Sequence, residues 1–523
     1  YTGEGYRKEA AGRMMNLRVA QALFEDEWLT EAEFDAEKNT AAVIAALDTW
    51  RAHGVLAITV SLQGGNAGYG KEAGWIKRVT AAKPGPGKGM LVSAFRADGT
   101  LKEGWKRRLL RLARALDKRG MILDLAYFYQ GQDEVLEGPE AIRRAVVEAT
   151  DFLIDNDIRN VVIEIANEVE IRGFDHGLYI EKNLGELIRL ARSRFVEKRA
   201  NYRVPISASS APAMRLLPGI VESADLTMIH GNNKTPERKR ERVAELMADS
   251  AAPGPIYMNE DDNGRATSEE NLKKELASLE AVWEAGGSWG YMPWRQVQMF
   301  PFRLYSPVGT DEDSAYFRAV LAAMREKVMA PRKELGHCPI DEDFRTGRTA
   351  GQRPQDGGRF TEEGWRVESE QTQIRYDLGR FFARGSVEME VKGPLRQARK
   401  HTLFAGWNEE AAADGDRKTQ TFFQLRLQQA GMMLRLTNRA GGRSYEGGTG
   451  ALEWEEGWHT VKGEWDTSGG DNFLWLDGRL LKAGRFNAQT PGLRWLFIGK
   501  DNYQKQYSVP GVVYRRLKVC VGG

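Results

Sequence analysis

Residues 161–168 read VVIEIANE: five apolar residues around one glutamate, then an asparagine and a second glutamate with no turn residue between. A run this short and this rich in Val and Ile reads as a strand buried on both faces, the kind a parallel sheet needs. Seven more runs of the same character lie on either side. They are NLRVAQALF (16–24), LAITVSLQGG (56–65), MILDLAYFYQ (121–130), VPISAS (204–209), DLTMIHGN (225–232), PIYMNEDD (255–262) and GSWGYMPW (287–294). Helical patterns separate them. NTAAVIAALDTWRAHG (39–54) offers Asn39 as an N-cap. EGWKRRLLRLARALDKRG (103–120) sets Leu109, Leu112 and Leu116 on one face, and PEAIRRAVVEATDFLIDN (139–156) opens with Pro139. Residues 184–200, 236–250 and 268–286 complete the set. Eight strands alternating with helices predict an α/β fold, a closed (β/α)8 TIM barrel over residues 1–332.

The pattern changes after Ala330. APRKELGHCPIDEDFRTGRTAGQRPQDGGRF (330–360) is rich in Gly, Arg, Pro and Asp and carries no apolar period. Short alternating runs follow, among them GSVEMEVKG, TFFQLRLQQ, HTVKGEWD and LRWLFIGK. Asp477-Gly478, between NFLWL and RLLKAG, has the form of a two-residue hairpin turn. Residues 333–523 therefore read as an all-β antiparallel sandwich (jelly-roll) domain.

The chain has 523 residues, with 75 Lys+Arg against 73 Asp+Glu. A net charge of +2 gives no broad basic face, which argues against nucleic acid as a partner. No apolar run approaches the ~20 residues of a membrane span. Two cysteines cannot build a disulfide framework or a multi-cysteine metal site. The first residue is Tyr1, and a removed export signal is one reading of that, which makes a periplasmic or secreted location the expectation. Nothing in the composition sets the oligomeric state.

In a (β/α)8 barrel the reactive groups sit at the C-terminal ends of the strands. Glu168 ends the fourth run and Glu260 the seventh, each preceded by an asparagine, Asn167 and Asn259. Two carboxylates facing across one barrel mouth are what glycoside hydrolysis needs. One protonates the leaving oxygen, and the other attacks or activates water. Glu164 is in phase with Glu168 but deeper, so it reads as a buried structural partner. Tyr127, Phe128, Tyr129 and Gln130 end the third run; Gln63 and Asn66 follow the second. Aromatic faces and amides of this kind suit sugar subsites. Asp261 and Asp262 directly follow Glu260, placed to bind hydroxyls, to tune Glu260, or to face solvent. The Gly-rich segment QGGNAGYG lacks the spacing of a phosphate loop.

IEIANE and PIYMNED resemble the two active-site segments of clan A retaining glycoside hydrolases, the group with the family 5 cellulases and mannanases. The resemblance spans about the first 330 residues. It implies Glu168 as acid/base, Glu260 as nucleophile and Asn167 on the sugar 2-hydroxyl. The clan often has a His followed two residues later by a Tyr after the sixth strand. Here His230 fits, but Asn232 stands where the tyrosine that bonds the nucleophile would be. The aromatic platform of the eighth strand falls on Trp294, with Tyr291 and Trp289 as rivals. NEDD, NLRVAQALFEDE and YFYQGQDE also look like a group of bacterial cellulase-like proteins. The second domain is similar to concanavalin-A-like and laminin-G-like sandwiches, without the E-x-D-x-x-E signature of their catalytic members. That likeness implies carbohydrate binding or a structural role, with Trp407, Trp454, Trp458 and Trp465 read mainly as core. First and last strands often pair in such sandwiches, so Cys338 and Cys520 would meet as a bridge or stay as two free thiols. The expected function is a retaining β-glycoside hydrolase acting on a poly- or oligosaccharide. A sugar-binding protein without catalysis and a transglycosylase are the alternatives. No cofactor is expected, although this class of sandwich accommodates a structural calcium ion.

Overall fold

The computed structural model describes residues 5–25, 34–64, 92–130, 132–170, 174, 176–262, 267–293, 311–330, 335–353, 357–393, 400–408, 422–428, 433–440, 443–448, 457–467, 471–485, 492–500 and 508–522. The chain divides into two compact units, residues 1–305 with 315–331 and residues 306–314 with 332–523.

The first unit is a parallel barrel built from β1 (Met15–Arg18), β2 (Ala57–Ser61), β3 (Ile122–Phe128), β4 (Val161–Ala166), β5 (Ile206–Ser207), β6 (Ser209–Ser210), β7 (Thr227–His230), β8 (Ile256–Asp261) and β9 (Ser288–Tyr291). They pair in the order β5-β4-β3-β2-β1-β9-β8-β7-β6. Nine segments stand for eight runs, because β5 and β6 are the two halves of the fifth run on either side of Ala208. β5 bonds to β4, and β6 bonds to β7. One stretch of chain thus closes the ring by passing its hydrogen bonds from one neighbour to the other.

Helices at Ala36–Ala52, Glu103–Asp117, Pro139–Asp155, Leu184–Glu197, Pro236–Ala248 and Glu269–Glu284 match the periodic segments. Leu109, Leu112 and Leu116 are buried together, as their spacing requires. The first helix starts at Ala36, three residues before Asn39. Its N-cap is Asp35, whose carboxylate accepts from the Lys38 N–H, while the Asn39 amide donates to the Gln21 carbonyl. Asn39 is therefore a tether to the preceding loop rather than the cap.

Within the barrel, side chains two apart on each strand form layers. Val162, Met228, Leu226 and Tyr257 make an apolar layer near the N-terminal ends. Above it the filling is polar, where barrels of this kind commonly place Val, Ile and Leu. Asn16 Nδ2 donates to Thr59 Oγ1 and to the Asn259 carbonyl, both at 2.7 Å. Asp124 Oδ2 accepts from Thr59 Oγ1 (2.8 Å), Asn259 Nδ2 (3.1 Å) and Tyr257 OH (3.3 Å). Asn259 Nδ2 also donates to Glu164 Oε2 at 3.2 Å. Gly290 in β9 permits this crowding, since a Cβ there would lie 2.5 Å from the Asn259 carbonyl oxygen.

The second unit holds one eight-stranded and one six-stranded antiparallel sheet. Its core includes Trp365, Tyr514, Phe344, Phe404, Phe423 and Trp465. The Asp471–Leu476 and Arg479–Arg485 strands pair across Asp477 (φ +49°) and Gly478 (φ +75°). Both turn residues are left-handed, as a two-residue hairpin of this hand demands. Trp407 and Trp465 are buried, as the core reading has it. Trp458 is partly exposed under the Arg515 guanidinium and the Lys392 ammonium. Trp454 lies outside the described residues.

Strand His337–Asp343 pairs with the final strand Val513–Gly522, and Cys338 is bonded to Cys520 across that pair. The bridge closes 182 residues of chain, so its main effect is to restrict the unfolded ensemble. Replacing both cysteines by serine should lower the stability of this unit by about 2–5 kcal/mol. Thermal unfolding with and without a reductant checks this: reductant should shift the parent protein and leave the double variant unmoved.

Candidate active site

Five strand ends, those of β1, β3, β4, β7 and β8, bring a ring of polar side chains to the C-terminal mouth of the barrel. Glu168 follows β4. Its backbone is left-handed (φ +48°), a conformation that non-glycine residues seldom adopt and that tends to mark functional positions. The turn is held on both sides: Asn167 N–H donates to the Phe128 carbonyl (2.9 Å), and Glu168 N–H to Ser209 Oγ (2.9 Å). Glu260 reaches the mouth by another device. Strict alternation along β8 would turn Asn259 inward and Glu260 outward. The register slips there, with Ile229 opposite Met258 but His230 opposite Glu260. One extra residue at this bulge points both Asn259 and Glu260 into the barrel. Asp261 then turns to the helix layer, where it meets Lys239 Nζ (2.7 Å) and accepts from Trp289 Nε1 (2.9 Å).

The side chains form a closed circuit. Arg18 Nε lies 2.7 Å from Glu260 Oε2, and its Nη2 donates to Asn167 Oδ1 (2.8 Å). Asn167 Nδ2 donates to Gln130 Oε1 (3.1 Å), and Gln130 Nε2 to Glu168 Oε2 (2.8 Å). Glu168 Oε1 stands 3.0 Å from His230 Nδ1, which is also 3.5 Å from Glu260 Oε2. Asn232 Nδ2 completes the loop by donating to Glu260 Oε1 at 2.6 Å. Asn232 and Arg18 thus hold the two oxygens of the Glu260 carboxylate, one each.

These groups are almost wholly out of water, so their charges bear strongly on one another. Burial opposes the Arg18 charge, but Glu260 and Glu164 outweigh it and raise its pKa. Burial also opposes ionisation of Glu168. The His230 hydrogen bond and charge, with Arg18 and Gln130, more than offset it and hold that carboxyl below its ordinary value. His230 is pushed down by burial and further up by Glu260 and Glu168, for a net rise. Glu164, fully buried near Asp124, is raised to about 7.

Other candidates fall elsewhere. Tyr127 is buried, its hydroxyl against Thr150 Oγ1 (3.1 Å) in the helix layer, so it offers no sugar contact. Tyr291 is buried too, stacked on Trp289 and close to Phe317, because Gly290 between them takes the inward position. Gln63 is spent on the protein: Nε2 donates to Ser93 Oγ and the Gln132 carbonyl, and Oε1 accepts from Tyr129 N–H. Tyr129 stays partly exposed, within electrostatic range of Glu168 and Glu260. Asp261 and Asp262 are buried rather than solvated. Trp294 and Asn66 lie outside the described residues.

Arg18 and Lys239 were not anticipated. Arg18 carried a signal, a charge two residues after Asn16 in an apolar strand. Lys239 carried none, sitting in the basic run PERKRER. Glu168, His230 and Glu260 place donor atoms within 4.8 Å of one another, as a metal ion would need. Arg18 Nε stands 2.7 Å from Glu260 Oε2, so one oxygen of this group already faces a fixed positive charge.

Lys239 and Asp261 form a buried ion pair behind Glu260. Lys239→Met should cost about 3–5 kcal/mol by leaving Asp261 uncompensated, and adding Asp261→Asn should recover part of it; urea unfolding of the three proteins measures both. No family model and no curated protein matches the chain. Among solved structures it is similar to a GH5-4 broad-specificity endoglucanase from Clostridium longisporum, 9% identical, TM-score 0.40, over 61% of this chain and 96% of that one. It is also similar to a Ruminococcus gnavus sialidase CBM40 bound to α2,3-sialyllactose (18% identical, TM-score 0.24, 30% of this chain and 89% of that one). Mouse laminin α1 domains LG4–5 are 19% identical, with a TM-score of 0.23, over 37% of this chain and 47% of that one, so the chain spans about half their length. With TM-scores of 0.40 and below, the fold rests on strand order and register rather than on these likenesses.

Proposed function

We propose that this chain is a retaining β-glycoside hydrolase cleaving O-glycosidic bonds of an oligo- or polysaccharide, with Glu260 as nucleophile and Glu168 as acid/base. One observation carries the reading: carboxylate oxygens of these two residues lie within 4.8 Å of each other at one barrel mouth. Retaining enzymes hold their carboxyl groups about 5–5.5 Å apart, whereas inverting enzymes leave space for a water molecule at about 6.5–9.5 Å.

In this mechanism Glu260 attacks the anomeric carbon while Glu168 protonates the leaving oxygen. Glu168 then takes a proton from water, which releases the sugar from Glu260. Arg18 and Asn232 fix the attacking carboxylate by one oxygen each. Asn167 has one amide hydrogen on Gln130, and its second serves the sugar 2-hydroxyl. Tyr129, partly exposed beside both carboxylates, lines the subsite. The chemistry needs no metal or organic cofactor. A disulfide-bonded second unit fits an exported protein acting on external carbohydrate.

Glu260→Gln should lower turnover by at least about 10³-fold on an aryl-glycoside and polysaccharide panel while sugar binding persists. NMR of the first-formed product should show retained anomeric configuration in the parent protein. Binding without turnover in the parent would leave the non-catalytic reading, and transfer to an added acceptor sugar in preference to water would favour the transglycosylase. A second measurement concerns the acid/base. Gln130→Leu removes a hydrogen bond to the charged form of Glu168, so the pKa of that carboxyl should rise. The alkaline limb of kcat/KM against pH should move to higher pH in this variant.

A further inference from the structure

Below the mouth, two buried polar atoms face one another without hydrogen-bond partners. They are Nε2 of His230 and Oε1 of Glu164, 3.9 Å apart, on side chains that are both fully buried. That separation is about 1 Å longer than a hydrogen bond. The other edge of the same imidazole, Nδ1, meets Glu168 Oε1 at 3.0 Å. The imidazole of His230 thus lies between the two carboxyl groups, Glu164 below and Glu168 above.

We infer that Glu164 is a positioning residue that sets the proton occupancy of His230 and, through it, of the acid/base Glu168; the inference rests on the hydrolase reading above. Charge balance in the site supports it. Asp124, Glu164, Glu168 and Glu260 share the interior with Arg18 and His230. Four carboxylates against two cations would leave a buried excess of negative charge, so protons must be kept there. His230 is faced by Glu164 from β4, Glu168 beyond it, Glu260 from β8 and Arg18 from β1. Asp124 of β3 stands behind Glu164, itself hydrogen-bonded to Tyr257, and Tyr129 lies near Glu168 and Glu260.

The proton accounting closes. An imidazolium carries protons on both nitrogens. Passing the Nδ1 proton to Glu168 Oε1 arms the acid and leaves a neutral imidazole with its Nε2 proton toward Glu164. Taking a proton from water at Glu168 and returning it to Nδ1 restores the start. The hydrogen bonds from His230 and Gln130 keep Glu168 ionised at rest, so a proton held next to it is what that acid needs. Glu164 titrates near 7, and as its charge appears it favours the imidazolium it faces.

The test is NMR titration of ring-labelled His230 in the full chain. In Glu164→Gln the facing charge can no longer form, so the His230 pKa should fall by about one unit. In Asp124→Asn, Glu164 ionises more readily, and the His230 pKa should rise. The alkaline limb of kcat/KM should move in the same direction as His230 in each variant. Should Glu164→Gln fail to fold, Asp124→Asn decides alone. A His230 titration that stays within about 0.2 units in the folded variants overturns the inference. Because the titration is read without substrate, coupled shifts in a protein that hydrolyses no glycoside would overturn the proposed function and leave the Glu164–His230 link standing.

Discussion

The guanidinium of Arg18 is the constraint around which the barrel is arranged. It sits fully buried among Glu260, Glu164 and Asn167, and nothing else in the middle of the barrel carries permanent positive charge among the described residues. Buried carboxylates are tolerable only when paired and hydrogen-bonded. With Arg18 in place, Glu260 can stand at the mouth as an anion. Asn167 is turned so that its amide bridges Arg18 and Gln130. Take the guanidinium away and the polar layer beneath becomes an uncompensated cluster of acids.

The polar layer also explains how so much chemistry is held on short strands. Asn259 carries the arrangement from one wall to the other, because its amide bonds Asp124 of β3 and Glu164 of β4 while its carbonyl accepts from Asn16 of β1. The bulge at this residue frees its neighbour Glu260 to face inward. Spacing between the two mouth carboxylates is therefore fixed by hydrogen bonds one layer below them, and only in part by loops at the rim.

Much of this was legible in the chain. The β-branched runs gave the strands, and the polar residues ending VVIEIANE and PIYMNEDD gave Glu168 and Glu260 because strand ends are where a barrel opens. What escaped depended on parity or on partners far away in sequence. Tyr291 and Trp289 sit at a strand end, but odd-even alternation around Gly290 turns them to the helices. Tyr127 is lost to the helix layer for a similar reason. Gln63 looked available until its partners Ser93, Gln132 and Tyr129 were seen to fill it. Asn39 was a sound cap by type, yet Asp35 stood one turn earlier with the better geometry. Arg18 needed knowledge of which carboxylates lay within reach, and a local reading of NLRVA contains none of that.

The stretch Ile206–Ser210 has a further consequence. Its backbone divides its loyalty, two residues to β4 and two to β7, with Ala208 between. A closed sheet has a seam wherever its ladder is thinnest, and local opening is cheapest where few backbone bonds must break. Here the seam runs beside Ser209, whose hydroxyl receives the N–H of Glu168 and whose carbonyl receives that of Val169. The left-handed backbone of Glu168 is thus moored to a line where the ladder on each side is only two residue pairs long. A ligand that spans the mouth from Glu168 to Asn232 would work as a stitch across that line, making the wall most rigid when it is filled.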